Sequence, residues 1–258
     1  MERGEDSKNH NWERIGTAET TTKSSRLVAT PVDEYPWSRR VSAPVTEHTA
    51  DLVQQEEIVQ MLIEPKSNIA MAQGNAMRRA FDTEIITRAV ADTAIKGDGT
   101  GENFASGQTI GTSAAPVAFT YDRVTEVSEI FMNNNIDPDE DKVFVISPSH
   151  ARKLLQLTEA TSGDYNAAKP LTSRGYIESW MGYTWIVHTG LERTSSATGD
   201  WAFAMTRRAL GLNVNKDIWT RVAEDATYSF DWRIYCAATF GACRVEDEQI
   251  VRIAALGD

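Results

Sequence analysis

The histidines and cysteines, the side chains most often found as metal ligands or activated nucleophiles, are few and scattered. The histidines, His10, His48, His150 and His188, stand at no metal-ligand spacing to one another or to a cysteine. Cys236 and Cys243 carry no local signature of an activated thiolate. They fall seven apart on one predicted strand, so they point to opposite faces and cannot easily pair. The acidic run Asp137, Asp139, Glu140, Asp141 imitates a calcium loop, but Lys142 replaces its turn glycine and Pro148 its closing glutamate. The glycine-rich stretch 97–111 contains neither GxxxxGK[ST] nor a GxGxxG entering a helix. Neither GxSxG nor SxxK occurs. The expectation is no catalytic residue, no cofactor, no metal, and therefore no enzyme.

Composition narrows the alternatives. With 258 residues, 41% hydrophobic and 24% charged, the chain can bury a core in one or two domains. No apolar run approaches the roughly 18 residues that span a bilayer, and the start MERGEDSKNH lacks a signal peptide's apolar stretch. No membrane partner is expected. A net charge of -11 argues against a DNA-gripping module, because sequence-independent binding needs a basic surface that releases counterions. A wall facing packed DNA is better off repelling it, so charge leaves a container open.

The elements follow from pattern. Thr-rich NWERIGTAETTT predicts an extended strand, and the return TPVDEYPWSRRVSAPVTEHTADLV carries Pro31, Pro36 and Pro44, which exclude a helix. Extended chain this poor in apolar residues has no core of its own and needs a surface to lie on. Trp12, Tyr35, Trp37, Arg39 and Arg40 are its candidate contacts with a neighbouring copy, being of the types enriched at tight interfaces. Equally, they could tuck back onto their own chain. Helical periodicity is read from Asp51 through Leu52, Ile58, Val59, Leu62 and Ile63 to Pro65. A long helix is predicted from Ser67 to Ala94, with Ala72, Ala76, Ala80, Thr83, Thr87 and Val90 as a close-packing seam.

Further on, Thr120 caps a predicted helix to Asn134, and Ser147 with Pro148 starts another after the strand VFVIS. Extended stretches are predicted at 183–189, 201–206, 210–214 and 218–223. A long alternating strand then runs from Ser229 to Val245, and a last one from Ile250 to Leu256.

This order of parts, with FVISPSHARKLLQL, GYIESWMGYTWIVHTG and RVAEDATYSFDWRIYCAATFGACRVEDEQIVRIAAL, resembles the coat-protein fold shared by tailed phages, herpesvirus capsid floors and encapsulins, the Hong Kong ninety-seven fold. The resemblance implies an α+β chain: an arm at 1–12 and an extended β-hairpin loop at 13–50. It also implies a peripheral domain at 51–118 and 224–258, with a spine helix on an antiparallel sheet, and an α/β axial domain at 119–223. It further implies a major capsid subunit of a tailed phage, assembled in the host cytoplasm. Such subunits form hexamers and pentamers closed into an icosahedral shell in the virion, enclosing double-stranded DNA without reading its sequence. Portal, scaffolding and decoration proteins are the implied partners. An encapsulin-type compartment is the alternative within the fold; a small α/β enzyme or ligand-binding domain is the alternative outside it.

Overall fold

A computed structural model describes residues 2–4, 8–16, 20–27, 32, 35–54, 65–157, 178–196 and 198–257. Its strands, in chain order, begin with β1 (Glu2–Gly4), β2 (His10–Ile15), β3 (Trp37–Ser42) and β4 (Val45–Val53). Helix α1 (Pro65–Val90) is followed by β5 (Thr93–Ile95), β6 (Gly101–Asn103) and β7 (Thr109–Ile110). Next come α2 (Tyr121–Asn133), β8 (Lys142–Ile146), α3 (Pro148–Gln156), β9 (Ser179–Trp180) and β10 (Tyr183–Val187). The order closes with β11 (Gly199–Thr206), β12 (Leu210–Asp225), β13 (Asp231–Arg244) and β14 (Ile250–Leu256).

Two larger sheets organise the molecule. A four-stranded sheet has the order β1-β12-β13-β4, and a six-stranded one the order β7-β14-β11-β8-β10-β9. Strands β8, β11 and β14 are buried on both faces, which is why they read as unbroken apolar runs. Phe144, Ile146, Ala202, Ala204, Val251 and Ile253 face α2 and α3. Val145, Phe203, Ile250 and Ala254 face the last turns of α1, at Ile86, Ala89 and Val90. Earlier along α1, Met77 and Phe81 lie on the four-stranded sheet, with the Phe81 ring stacked 3.8 Å from that of Phe240. One helix thus pins both sheets.

Several expectations are corrected. Residues 51–53 are strand, not helix: β4 pairs Val45–Val53 with Phe240–Trp232, so the chain enters the four-stranded sheet at once instead of continuing the loop to residue 50. The remaining apolar positions of that expected helix, Ile58, Val59, Leu62 and Ile63, lie outside the described residues, as do Pro31 and residues 158–173. The stretches 210–214 and 218–223 are one strand, with bulges between Val214 and Trp219 that absorb polar Asn215, Lys216 and Asp217. Helix α1 stops at Val90 because the chain turns into β5. Its buried line runs through Gln73, Met77, Ile86, Ala89 and Val90, while Ala72, Thr83 and Thr87 are exposed. Ala76 is half-buried, and Ala80 packs beside Met77 and Phe240. Met77, Ile86 and Val90 supply most of the apolar area that this line removes from water. β14 does not join β13's sheet, and β12 does, so the expected partition at 119–223 and 224–258 is crossed by both strands.

The start of α3 carries a pH consequence. Ser147 Oγ accepts from the His150 backbone N–H, and His150 Nδ1 accepts from the Ser147 N–H, a reciprocal cap with Pro148 in the first turn. His150 is fully buried, its ring stacked on Phe119, and burial holds its pKa below the usual histidine value against the pull of Asp200. A doubly protonated ring cannot accept from Ser147. Below about pH 6.5 the unfolded chain therefore takes up a proton that the folded one refuses. Stability should fall with pH through that window, by up to about 1.4 kcal/mol per pH unit, until the folded histidine itself titrates. Denaturant melts at pH 7 and pH 5.5 check this. His150→Gln, which keeps the acceptor but cannot titrate, should flatten the difference, and an undiminished pH dependence would reject the assignment.

Candidate assembly interface

The ribbon β2–β3 pairs His10 with Ser42 through Ile15 with Trp37, so alternation gives it two faces. Trp12, Arg40 and Ser42 point inward and are buried. Trp12 packs with Cys243 and Val245, over Gly211, where a Cβ would come within 2.5 Å of the indole. The glycine is what lets the ring sit flat against β12.

Arg40 reaches further. Its Nη2 donates to Asp247 Oδ2 at 2.6 Å, and Arg244 Nε donates to the other oxygen at 2.5 Å. Arg14 closes the side of this root, 3.2 Å from Glu246 and 2.5 Å from Glu248. Arg244 Nη1 also donates to Ala91 O, and Arg252 Nη1 to Val90 O and Asp92 Oδ1. Both guanidinium carbons lie 4.3 Å from the Phe104 ring centre. Two cations thus meet the carbonyl end of α1, where the helix dipole favours them. Burial lowers the pKa of Arg244 while Asp247 raises it. Buried charges persist where they are paired and hydrogen-bonded, and Asp247 is the shared counter-ion.

The outer face is different. Trp37 is 65% exposed and Tyr35 51%, and the Arg39 guanidinium makes an exposed ion pair to Glu13 at 2.8 Å. Ile15, Leu27 and Val32 are also exposed. Beside Trp37 lies a groove of about 700 Å³ lined by Glu13, Ser38, Arg39, Lys96, Gly97 and Asp98. Of the five contact candidates, then, Trp12 and Arg40 serve the chain's own core, and Tyr35, Trp37 and Arg39 face outward. Sequence reasoning missed Arg14, Arg244, Asp247 and Arg252. The available signal was Arg244 and Arg252 interrupting otherwise apolar strands, since an unpaired charge there would be prohibitive.

The groups considered for chemistry have packing roles. Among the described residues no cluster of three or more potential metal ligands exists. Lys142 Nζ donates to the carbonyls of Asp137, Pro138 and Glu140, closing the acidic turn from within. His10 lies edge-on to Trp12, His48 stacks on Tyr235, and His188 Nδ1 accepts from Gly190. Both cysteines are buried and free on opposite faces of β13, and burial pushes the Cys243 thiol up to about 12.

A locked ribbon, a long helix pinning two sheets and a mixed sheet backed by short helices are the architecture of a Hong Kong ninety-seven coat subunit. The chain matches the model of the phage capsid protein family over residues 2–256 and belongs to that family, as a structural capsid subunit of the virion. The capsid of cyanophage P-SCSP1u superimposes with a TM-score of 0.76 at 14% identity, covering 100% of this chain and 86% of that one. A structure of Mycobacterium phage Che8 gives 0.73 at 17% identity, over 96% and 84%. The capsid of a native GTA particle gives 0.71 at 12%, over 98% and 88%. No curated protein matches by sequence.

Proposed function

We propose that this subunit assembles as hexamers and pentamers into an icosahedral shell around double-stranded DNA, with the β2–β3 ribbon laid across the neighbouring copy. The observation that carries the reading is the ribbon's division into an inner face locked to its own chain and an outer face that leaves Ile15 and Trp37 in water, with Tyr35 exposed just before it. Apolar side chains so presented are anchors awaiting a pocket. The net charge of -11 suits a wall that must not grip the genome. On this reading 1–12 is the arm, 13–50 the loop with its last residues, from Val45, entering the four-stranded sheet, and Ala76 and Ala80 part of the spine-helix packing. Catalysis plays no part. Assembly proceeds in the host cytoplasm, with a portal and with scaffolding or decoration proteins as further partners.

Sedimentation and negative-stain imaging of the purified protein, with scaffold supplied, should show rings and closed particles. A protein that stays monomeric across concentration in both conditions would refute the proposal. Copurifying enzyme cargo in place of packaged nucleic acid would favour a compartment of the encapsulin kind.

A further inference from the structure

The ribbon sits on the face of the four-stranded sheet that points away from α1, and two glycines let it come close. A side chain at Gly211 would meet the Trp12 ring, and one at Gly241 would meet the Ala43 carbonyl and Pro44. Asn213 lies between these two points of contact. It is two residues beyond Gly211 on β12 and pairs with Gly241 on β13, so its side chain rises on the same face. Trp12 and Ser42, which directly precedes Ala43, come down from the ribbon towards it.

The seam they enclose is polar and shut off from solvent. Asn213 is 0% exposed, Ser42 1% and Trp12 7%. Asn213 Oδ1 and Nδ2, Ser42 Oγ and Trp12 Nε1 are all buried without a hydrogen-bond partner among the described residues. Arg40, opposite Trp12 on β3, adds its buried Nε and Nη1 to the same set. Buried polar groups are bonded as a rule, either to protein or to ordered water. The chemistry of this set selects the ligand. An anion cannot bond the Asn213 carbonyl oxygen, and a metal cation would face the Arg40 guanidinium and the indole N–H. Water both donates and accepts, and so suits every member.

We propose that ordered water bridges this seam, joining Asn213 of β12 to Ser42 and Trp12 of the ribbon. A buried water makes about three hydrogen bonds, and the two ends of the Asn213 amide, the Ser42 hydroxyl and the indole N–H supply them. The ribbon is then held in two ways, by ion pairs at Asp247 and by water at Asn213. Asn213 is on this account a positioning residue, setting how Trp12 rides on Gly211.

The test compares two variants of the full chain. Asn213→Leu keeps the volume and removes both ends of the amide, stranding Ser42 Oγ and Trp12 Nε1. Its melting midpoint should fall by several degrees, and hydrogen exchange at the Trp12 indole N–H should quicken about tenfold. Asn213→Ser gives up volume but can still bond water, so its exchange rate should stay within about twofold of wild type. A midpoint that is unchanged or higher in Asn213→Leu would overturn the proposal, because a dry seam gains from losing unpaired atoms. Asn213→Ser faring worse than Asn213→Leu would do the same, since packing rather than water would then hold the ribbon. Wild-type density fine enough to show ordered solvent gives a reading free of any variant. Peaks within about 3.2 Å of both Asn213 and Trp12 Nε1 are expected, and direct bonding of Asn213 to Ser42 or Trp12 without them would reject water as the bridge.

Discussion

Asp247→Asn should destabilise the isolated subunit by about 3–5 kcal/mol, because it leaves Arg40 and Arg244 buried with no counter-ion between them. The substitution conserves shape and one acceptor oxygen, so the loss is electrostatic rather than steric. For a chain of this size it corresponds to a fall in melting temperature on the order of 10 °C. Arg40→Met should cost much less. It removes one buried charge instead of stranding two, and Asp247 keeps Arg244 and a longer contact with Arg14 at 3.6 Å. Thermal melts of the two variants decide the matter: equal losses, or none for Asp247→Asn, would mean that the root is not held by this shared carboxylate.

The opposite phenotype is expected on the outer face. Tyr35→Ser with Trp37→Ser removes two exposed rings and should leave the melting curve and circular dichroism of the subunit unchanged. Burial of Trp37 against a neighbour is worth roughly 2 kcal/mol, so each contact should weaken about thirtyfold. Particle yield and resistance to dilution should fall sharply. Shells of normal durability would remove the ribbon from the interface, and an unfolded subunit would place these rings in the chain's own core. Deleting the segment through Arg40 would confuse the two effects, since Arg40 belongs to the root; the cut must stop before Trp37.

Where chemistry is local, the sequence was readable. Ser147, Pro148 and the following apolar pattern announced α3, and the runs VFVI, WAFAM and IVRIAA announced strands buried on both faces. The failures have physical causes. The end of β4, residues 51–53, looked helical because Leu52 precedes apolar residues at helical spacing, while the pairing with β13 that overrides this lies about 180 residues away and leaves no local trace. β12 looked like two strands because a bulge puts polar residues mid-strand without ending it. Arg40 looked like surface beside Arg39, since alternation alone does not say which face is covered. Its partner Asp247 is 207 residues downstream. The outward half of the candidate interface was therefore legible, and the ionic root beneath it was not.

The position of β14 bears on when a subunit becomes competent. It lies between β7 and β11 in the six-stranded sheet, and Arg252 within it joins Arg244 at the end of α1. Asp247, just before it, fastens the ribbon that the N-terminal part of the chain supplies. A ribosome makes these residues after every other described element. On a nascent chain the ribbon therefore cannot take its Arg40–Asp247 bond until residue 247 has been made.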